Sequence, residues 1–416
     1  LPTNINQMGW IDDFSNVTRG NNVFAYRDEE PGDGVDTDGM GFISTAYWHG
    51  NGPSHYNRNF TYLFTPAPTG GSSPALSDTQ YNHGSVTNMF VWTNLFHDIM
   101  YRYGFTEPAR NFQEKNFGRG GAQSDSVYAE SQDWNGTNNA DFLTPPDGMP
   151  GRMQMYVFPD MARDSTSGDG VAPDSDQASI VPRDSALDQQ VMLHELAHGL
   201  TNRLIGNGLG LVNHQGIGMG EGWSDFYALS ILSGLLADND PDKVYPMGGW
   251  VTYNFLCMLH DNYFYGIRRF PYSTNLLINP LTLAHADPRS YFYAFTQEVY
   301  YGSPQRSLYP ESPLCFGAMG GAVHNLGEIW ASALWQARSH VMRHFERNLR
   351  RDGLDPNDIP RAVLQRGNEH MIQLVTDGLK LTPTSPTFLE ARDAIIEAAL
   401  SSVSNPPGYV STDPVN

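Results

Sequence analysis

Apolar and polar positions alternate with two different periods along this chain. From Leu1 to about Asp184 the apolar residues come in short runs such as NVFAYRD and RNFTYLF, separated by Gly, Pro, Asn and Asp, a pattern that predicts strands joined by turns. RMQMYVF is the clearest strand, because Met153, Met155 and Val157 alternate with their neighbours and define one buried face. One helix interrupts this half. It is predicted over about Ser85–Tyr103, where Val86, Met89, Phe90, Phe96, Met100 and Tyr103 recur near a 3.6-residue spacing, and it should pack under the sheet. After Asp184 long helical periods take over, broken by GNGLG, RRFPYST and TPTSP. The reading is an α+β protein with a β-rich lobe over residues 1–184 and a mainly helical lobe over 185–416. The loop Arg163–Asp184 is the border, and sites often lie where two lobes meet.

The first helical segment after the border carries the most specific chemistry. SALDQQVMLHELAHGLTNRL has Ser185 as its expected N-cap, Asp188 in its first turn, and an end before Gly206 and Gly208. His194 and His198 are four residues apart, so both imidazoles leave one helix face and can reach one ion. Glu195 is rotated by roughly 100° from His194, which lets it hold a water beside that ion without being a ligand.

A catalytic zinc needs a third protein ligand and an open position. GMGEGWSDFYALSILSGLLA offers Glu221 and Asp225, four apart at the expected start of a second helix. Glu221 can bind the metal, and Asp225 can accept the second N–H of a ligand histidine and so fix its tautomer. The competing donor is His214, in LVNHQGIG, which reads as a surface or cleft residue. The metzincin spacing would need Gly at 201 and His at 204, where this chain has Thr201 and Leu204, so that class is excluded. His324 stands at the start of a further long helix in GGAVHNLGEIWASALWQ. Two roles stay open for it at this point, donation to an oxyanion or a structural hydrogen bond at a helix start.

Composition narrows the partners. With 416 residues and a formal net charge of −20, the chain would repel phosphate backbones, and no Lys/Arg cluster offsets that, so nucleic acid is excluded as a partner. The longest apolar stretch, Ala228–Ala237, is about half of what a membrane span needs. Cys257 and Cys315 allow one bridge in an oxidising compartment. Asn16, Asn59 and Asn135 stand in glycosylation sequons. The opening LPTNINQMGW has neither an initiator Met nor a signal pattern, which reads as a processed chain. Acidic loops at GDGVDTDG and SGDG leave Ca2+ possible, although neither has EF-hand spacing.

Taken with TRGNNVFAYRD, NLFHDIMYRYGFTE, GTNNADFLTPPDGMPGRMQMYVF, GIRRFPYSTN and LEARDAIIEA, these motifs make the chain resemble the thermolysin-type peptidases, and specifically the fungalysin family of secreted fungal zinc metalloendopeptidases. The resemblance implies a two-lobed fold with the zinc between the lobes, one catalytic Zn2+, a removed inhibitory propeptide and protein or peptide substrates cleaved outside the cell. A monomer is the expected state. Residue by residue it implies His194, His198 and Glu221 as ligands, Glu195 as general base, Asp225 behind a ligand histidine and His324 acting on the transition state. It further implies Asn139 and Ala140 as the edge segment that pairs with substrate backbone, and Arg268 as the arginine that holds a substrate carbonyl.

Three departures accompany it. No tyrosine in LGLVNHQGIG matches the oxyanion tyrosine of thermolysin, Met319 stands where an aspartate would orient the histidine, and the chain closes in SSVSNPPGYVSTDPVN. Two other readings remain. One is an inactive metal-stabilised binding protein, and the other is a metalloaminopeptidase, which would need a GAMEN-type segment that is absent from this sequence.

Overall fold

A computed structural model of the chain describes residues 9–11, 17–32, 34, 60, 62, 79–158, 183–237, 243–252, 263–286 and 321–404. Asn16, Asn59, Cys257, Cys315 and Met319, most of RNFTYLF and of GDGVDTDG, the loop SGDG and most of the expected border loop lie outside these residues.

Helix and sheet are mixed, as the α+β reading expects. Strands β1 (Val23–Arg27), β2 (Val127–Ser131) and β4 (Arg152–Met155) pair in parallel, and β3 (Ala140–Leu143) adds antiparallel to β4, giving the order β1-β2-β4-β3. Val23, Ala25, Val127, Ala129, Met153 and Met155 are buried against the helix α1 (Thr79–Arg102), whose Val86, Met89, Phe90, Phe96 and Met100 complete that layer. The alternate residues put Tyr26, Glu130 and Gln154 in one cross-strand row, also buried. A parallel sheet buried on both faces is the usual outcome when helices and loops cover it.

Three expectations need correction. Helix α1 begins at Thr79 and not near Ser85; Asn82, Gly84 and Ser85 are poor helix formers, but packing buries Tyr81, Asn82 and Ser85. The RMQMYVF alternation fails after Met155. Val157 is half-buried and Phe158 is buried, because β5 (Val157–Phe158) leaves the first sheet to pair with β6 (Arg183–Asp184). The zinc helix is not capped by Ser185. Asp184 caps a 3₁₀ turn over Ser185–Leu187, and the helix α2 (Gln189–Leu204) is capped by Asp188, whose Oδ1 accepts from the N–H groups of Gln190 and Val191. A carboxylate satisfies two free amides and also suits the positive helix start.

Helix α2 packs against α3 (His214–Leu235), which in turn packs along α4 (Gly321–Arg351). Helix α3 is buried nearly all round, with Met219, Trp223, Phe226, Tyr227 and Ala228 at 0–1% exposure, as befits a central helix. The chain continues through α5 (Ile359–Val363), α6 (Glu369–Leu381) and α7 (Phe388–Ser404). One apolar core runs from the sheet through α1, α2, α3, α4 and α6 to Phe388 and Ala391 of α7. Among the described residues no helix is long and apolar enough to cross a membrane.

Candidate metal centre

Asp188 starts α2 so that His194 and His198 fall on successive turns, facing α3. Their rings meet edge to face with centroids 4.7 Å apart, and the two Nε2 atoms are 3.0 Å apart. Glu221 reaches them from α3, with Oε2 at 3.3 Å from His194 Nε2 and Oε1 at 3.6 Å from His198 Nε2. Glu221 is not at a helix start, as the sequence suggested; it lies two turns inside α3, close against Gly327 of α4.

Glycine makes that packing possible. A Cβ at Gly222 would lie 2.5 Å from the Gly327 carbonyl oxygen of α4, and one at Gly327 would lie 2.5 Å from Glu221 Cβ.

The donor set fits a tetrahedral ion. Ligand atoms about 2.0–2.1 Å from zinc in tetrahedral geometry are about 3.3 Å from one another, and the separations here run from 3.0 to 3.6 Å. Glu221 Oε2 is buried yet makes no hydrogen bond, a cost that a bound cation removes. Two imidazoles and one carboxylate form a borderline-soft set suited to zinc.

Charge inside the site points the same way. Burial works against a charged His194, but the nearby carboxylates of Asp225 and Glu221 outweigh it and push its pKa up to about 10. Burial pushes His198 down to about 4, which leaves its imidazole neutral with a lone pair to give. Burial would raise Glu221, but the imidazoles of His324, His198 and His194 hold it well below the usual carboxylate range. The field that keeps an extra proton on His194 also favours a cation.

Behind the histidine stands a buried anchor. His194 Nδ1–H donates to Asp225 Oδ1 at 2.7 Å, while Arg268 donates to the same carboxylate through Nε at 2.7 Å and Nη2 at 2.8 Å. Tyr272 OH donates to Asp225 Oδ2. Burial would raise Asp225, but Arg268 and His194 outweigh it and hold it well below its ordinary value. This arrangement fixes the His194 tautomer and turns Nε2 toward Glu221. Tyr272 was missed by sequence reasoning. Its only signal was its place in GIRRFPYSTN, four residues after Arg268. In the same segment Arg269 donates to Glu328 from its backbone N–H and from Nε, each at 2.6 Å, which ties it to α4.

A cleft of about 680 Å³ opens on these groups. Glu195 faces it, and burial raises the Glu195 carboxyl to about 8, with Glu221 and Asp141 adding to the effect and His194 and Arg268 opposing it. His324, in the first turn of α4, puts Nε2 at 3.2 Å from Glu221 Oε2 and lines the same cleft. Asn139 and Ala140 form the rim at the start of β3, which is the edge strand of its sheet among the described residues. Its outer side is therefore open to a further strand. Arg268 lines the cleft as well, although the donors resolved above are committed to Asp225. His214 is exposed at the first residue of α3, away from the three converging donors.

Comparison with known proteins adds an independent line. The family model described as Fungalysin metallopeptidase (M36) matches residues 2–405. The chain is 35% identical over 397 residues to "Extracellular metalloproteinase MEP" of Pyricularia oryzae, covering 94% of this chain and 49% of that protein. It is 33% identical over 409 residues to "Extracellular metalloproteinase 2" of Trichophyton tonsurans, covering 90% and 54% respectively. To "Extracellular metalloproteinase 10" of Coccidioides posadasii it is 32% identical over 396 residues, covering 94% and 50%. The chain thus spans about half the length of the curated relatives it matches.

Proposed function

The chain belongs to the fungalysin metallopeptidase family, and on that footing we propose that it is a secreted zinc metalloendopeptidase hydrolysing internal peptide bonds of proteins. The observation that carries this reading is the convergence of His194, His198 and Glu221 beside Glu195 in one cleft. Its lobes would be residues 1–184 and 185–416 of a thermolysin-like arrangement, working as a monomer freed of its propeptide. The names of the extracellular relatives support secretion in this reading.

His194, His198 and Glu221 would hold the zinc, which when bound acidifies a water and polarises the scissile carbonyl. Glu195 accepts a proton from the attacking water. Its carboxylate faces the cleft beside the three donors, placed to take that proton and then pass it to the leaving amine. His324 donates to the oxyanion from across the cleft. Asp225, braced by Arg268 and Tyr272, keeps His194 in the tautomer whose Nε2 lone pair is available.

Substrate lies along β3. Asn139 and Ala140 would bond its backbone by strand addition, and Arg268 Nη1, which makes no hydrogen bond among the described residues, would meet a substrate carbonyl.

The test uses the purified chain and a protein substrate whose amino termini are blocked. Hydrolysis should disappear with 1,10-phenanthroline and return with added zinc. Activity that survives removal of zinc, or cleavage confined to free amino termini, would refute the proposal.

A further inference from the structure

A second cluster of ligating groups lies apart from the zinc donors, at the carboxyl ends of β1 and β2. Asp28 follows β1, Glu130 belongs to β2, and Asp133 follows two residues after β2 ends. All three are buried, at 1%, 0% and 3% exposure, and one oxygen from each lies within 4.8 Å of the other two. The backbone draws them together. Asp28 N–H donates to Ser131 O at 3.1 Å, and Trp134 N–H donates to Asp28 O at 2.8 Å.

The hydrogen bonds made by the three carboxylates leave one oxygen bare among the described residues. Glu130 Oε1 accepts from Tyr26 OH and has Arg152 Nε at 3.5 Å. Asp133 accepts from Gln154 Nε2 at 2.8 Å and from Asn135 N–H at 2.7 Å, and Asp28 accepts from Gly34 N–H at 3.1 Å. Glu130 Oε2, on a wholly buried side chain, has no hydrogen-bond partner among the described residues. A buried carboxylate oxygen left bare is costly, and a bound cation would remove that cost.

We propose that Asp28, Glu130 and Asp133 form a second metal site, filled by a hard divalent cation of the calcium class. An all-oxygen, carboxylate-rich set selects such an ion over zinc. Two Ca–O bonds of about 2.4 Å span about 4.8 Å, which the three oxygens do not exceed. The ion would clamp the end of β2 to the end of β1. From Asp133 the chain runs directly into Thr137, Asn138, Asn139 and Ala140 on the cleft rim, so the clamp would set the edge on which substrate is expected to lie.

The proposal does not depend on the zinc centre, and its test reads a different signal. With zinc kept saturating, Tb3+ is titrated into the purified chain and chased with Ca2+, while calorimetry follows the thermal midpoint with and without Ca2+. Terbium emission sensitised by Tyr26 and displaced by Ca2+, together with a midpoint that rises with Ca2+, is expected. Glu130→Gln and Asp133→Asn should each weaken binding at least about tenfold and remove the calcium-dependent rise, while leaving zinc content at one per chain. If one variant fails to fold, the other and the wild-type calcium dependence still decide. Calcium binding undiminished in the variants, or a wild-type midpoint indifferent to Ca2+ with Glu130→Gln equally or more stable, would overturn the site. In the second case Glu130 holds a proton in place of a metal.

Discussion

Replacing Gly327 by Ala tests whether the crossing of α3 and α4 sets the geometry of the metal centre. The added methyl would lie 2.5 Å from Glu221 Cβ, 2.9 Å from Gly218 O and 3.0 Å from Gly222 N. Carbon atoms rest about 3.5–4.0 Å apart, so the helices must separate by about 1–1.5 Å or distort. Overpacking of this kind costs about 1–3 kcal/mol, whereas Ala gains about 1 kcal/mol over Gly in helix propensity. The net loss should be about 0–2 kcal/mol, a fall of at most a few degrees in the thermal midpoint.

Turnover should suffer more than stability. His324 lies one turn before Gly327 on α4, and Glu221 is the residue struck. A misplacement of about 1 Å costs on the order of 10²-fold in rate. The assay is hydrolysis of a protein substrate at saturating zinc, paired with calorimetry. Gly220→Ala is the control, because its methyl would meet nothing nearer than Leu211 Cδ1 at 3.5 Å and should be neutral or stabilising. A Gly327→Ala protein with wild-type midpoint and wild-type turnover would refute the idea that this crossing positions Glu221 and His324.

Four further outcomes are expected. Glu195→Gln should keep zinc, measured by elemental analysis, and lose hydrolysis by about 10²–10⁴-fold, since an amide cannot accept the proton; near-normal turnover would remove Glu195 from the mechanism. Glu221→Ala should release zinc while His214→Ala retains it, and the reverse pattern would overturn the choice of third ligand. Asp225→Asn should weaken zinc affinity about 10–100-fold in competition with a chelating dye, because it disturbs the carboxylate that Arg268, Tyr272 and His194 share. His324→Ala should lower kcat by about 10²-fold with KM and zinc content nearly unchanged, whereas loss of zinc would make it a ligand.

The placement of the candidate site residues was legible in the sequence where it follows from local helical spacing. His194, Glu195 and His198 share one helix, and so do Glu221 and Asp225, so their relative placement depends only on the 3.6-residue period. Patterning likewise marked Met153 and Met155 as buried, because a strand's two faces are fixed by alternation. Tertiary packing decided the rest. Glu221 read as a helix start, but α3 begins at His214, and its Gly218 and Gly222 sit where α4 comes close, since a Cβ there would lie 2.8 Å from Leu326 and 2.5 Å from the Gly327 carbonyl oxygen. Arg268 and Tyr272, more than forty residues beyond Asp225, have no local reason to meet it; a buried carboxylate demands partners, and the fold brings them there. The row of Tyr26, Glu130 and Gln154 was equally hidden, since strand register across a sheet depends on how distant segments pair and not on the spacing within any one of them.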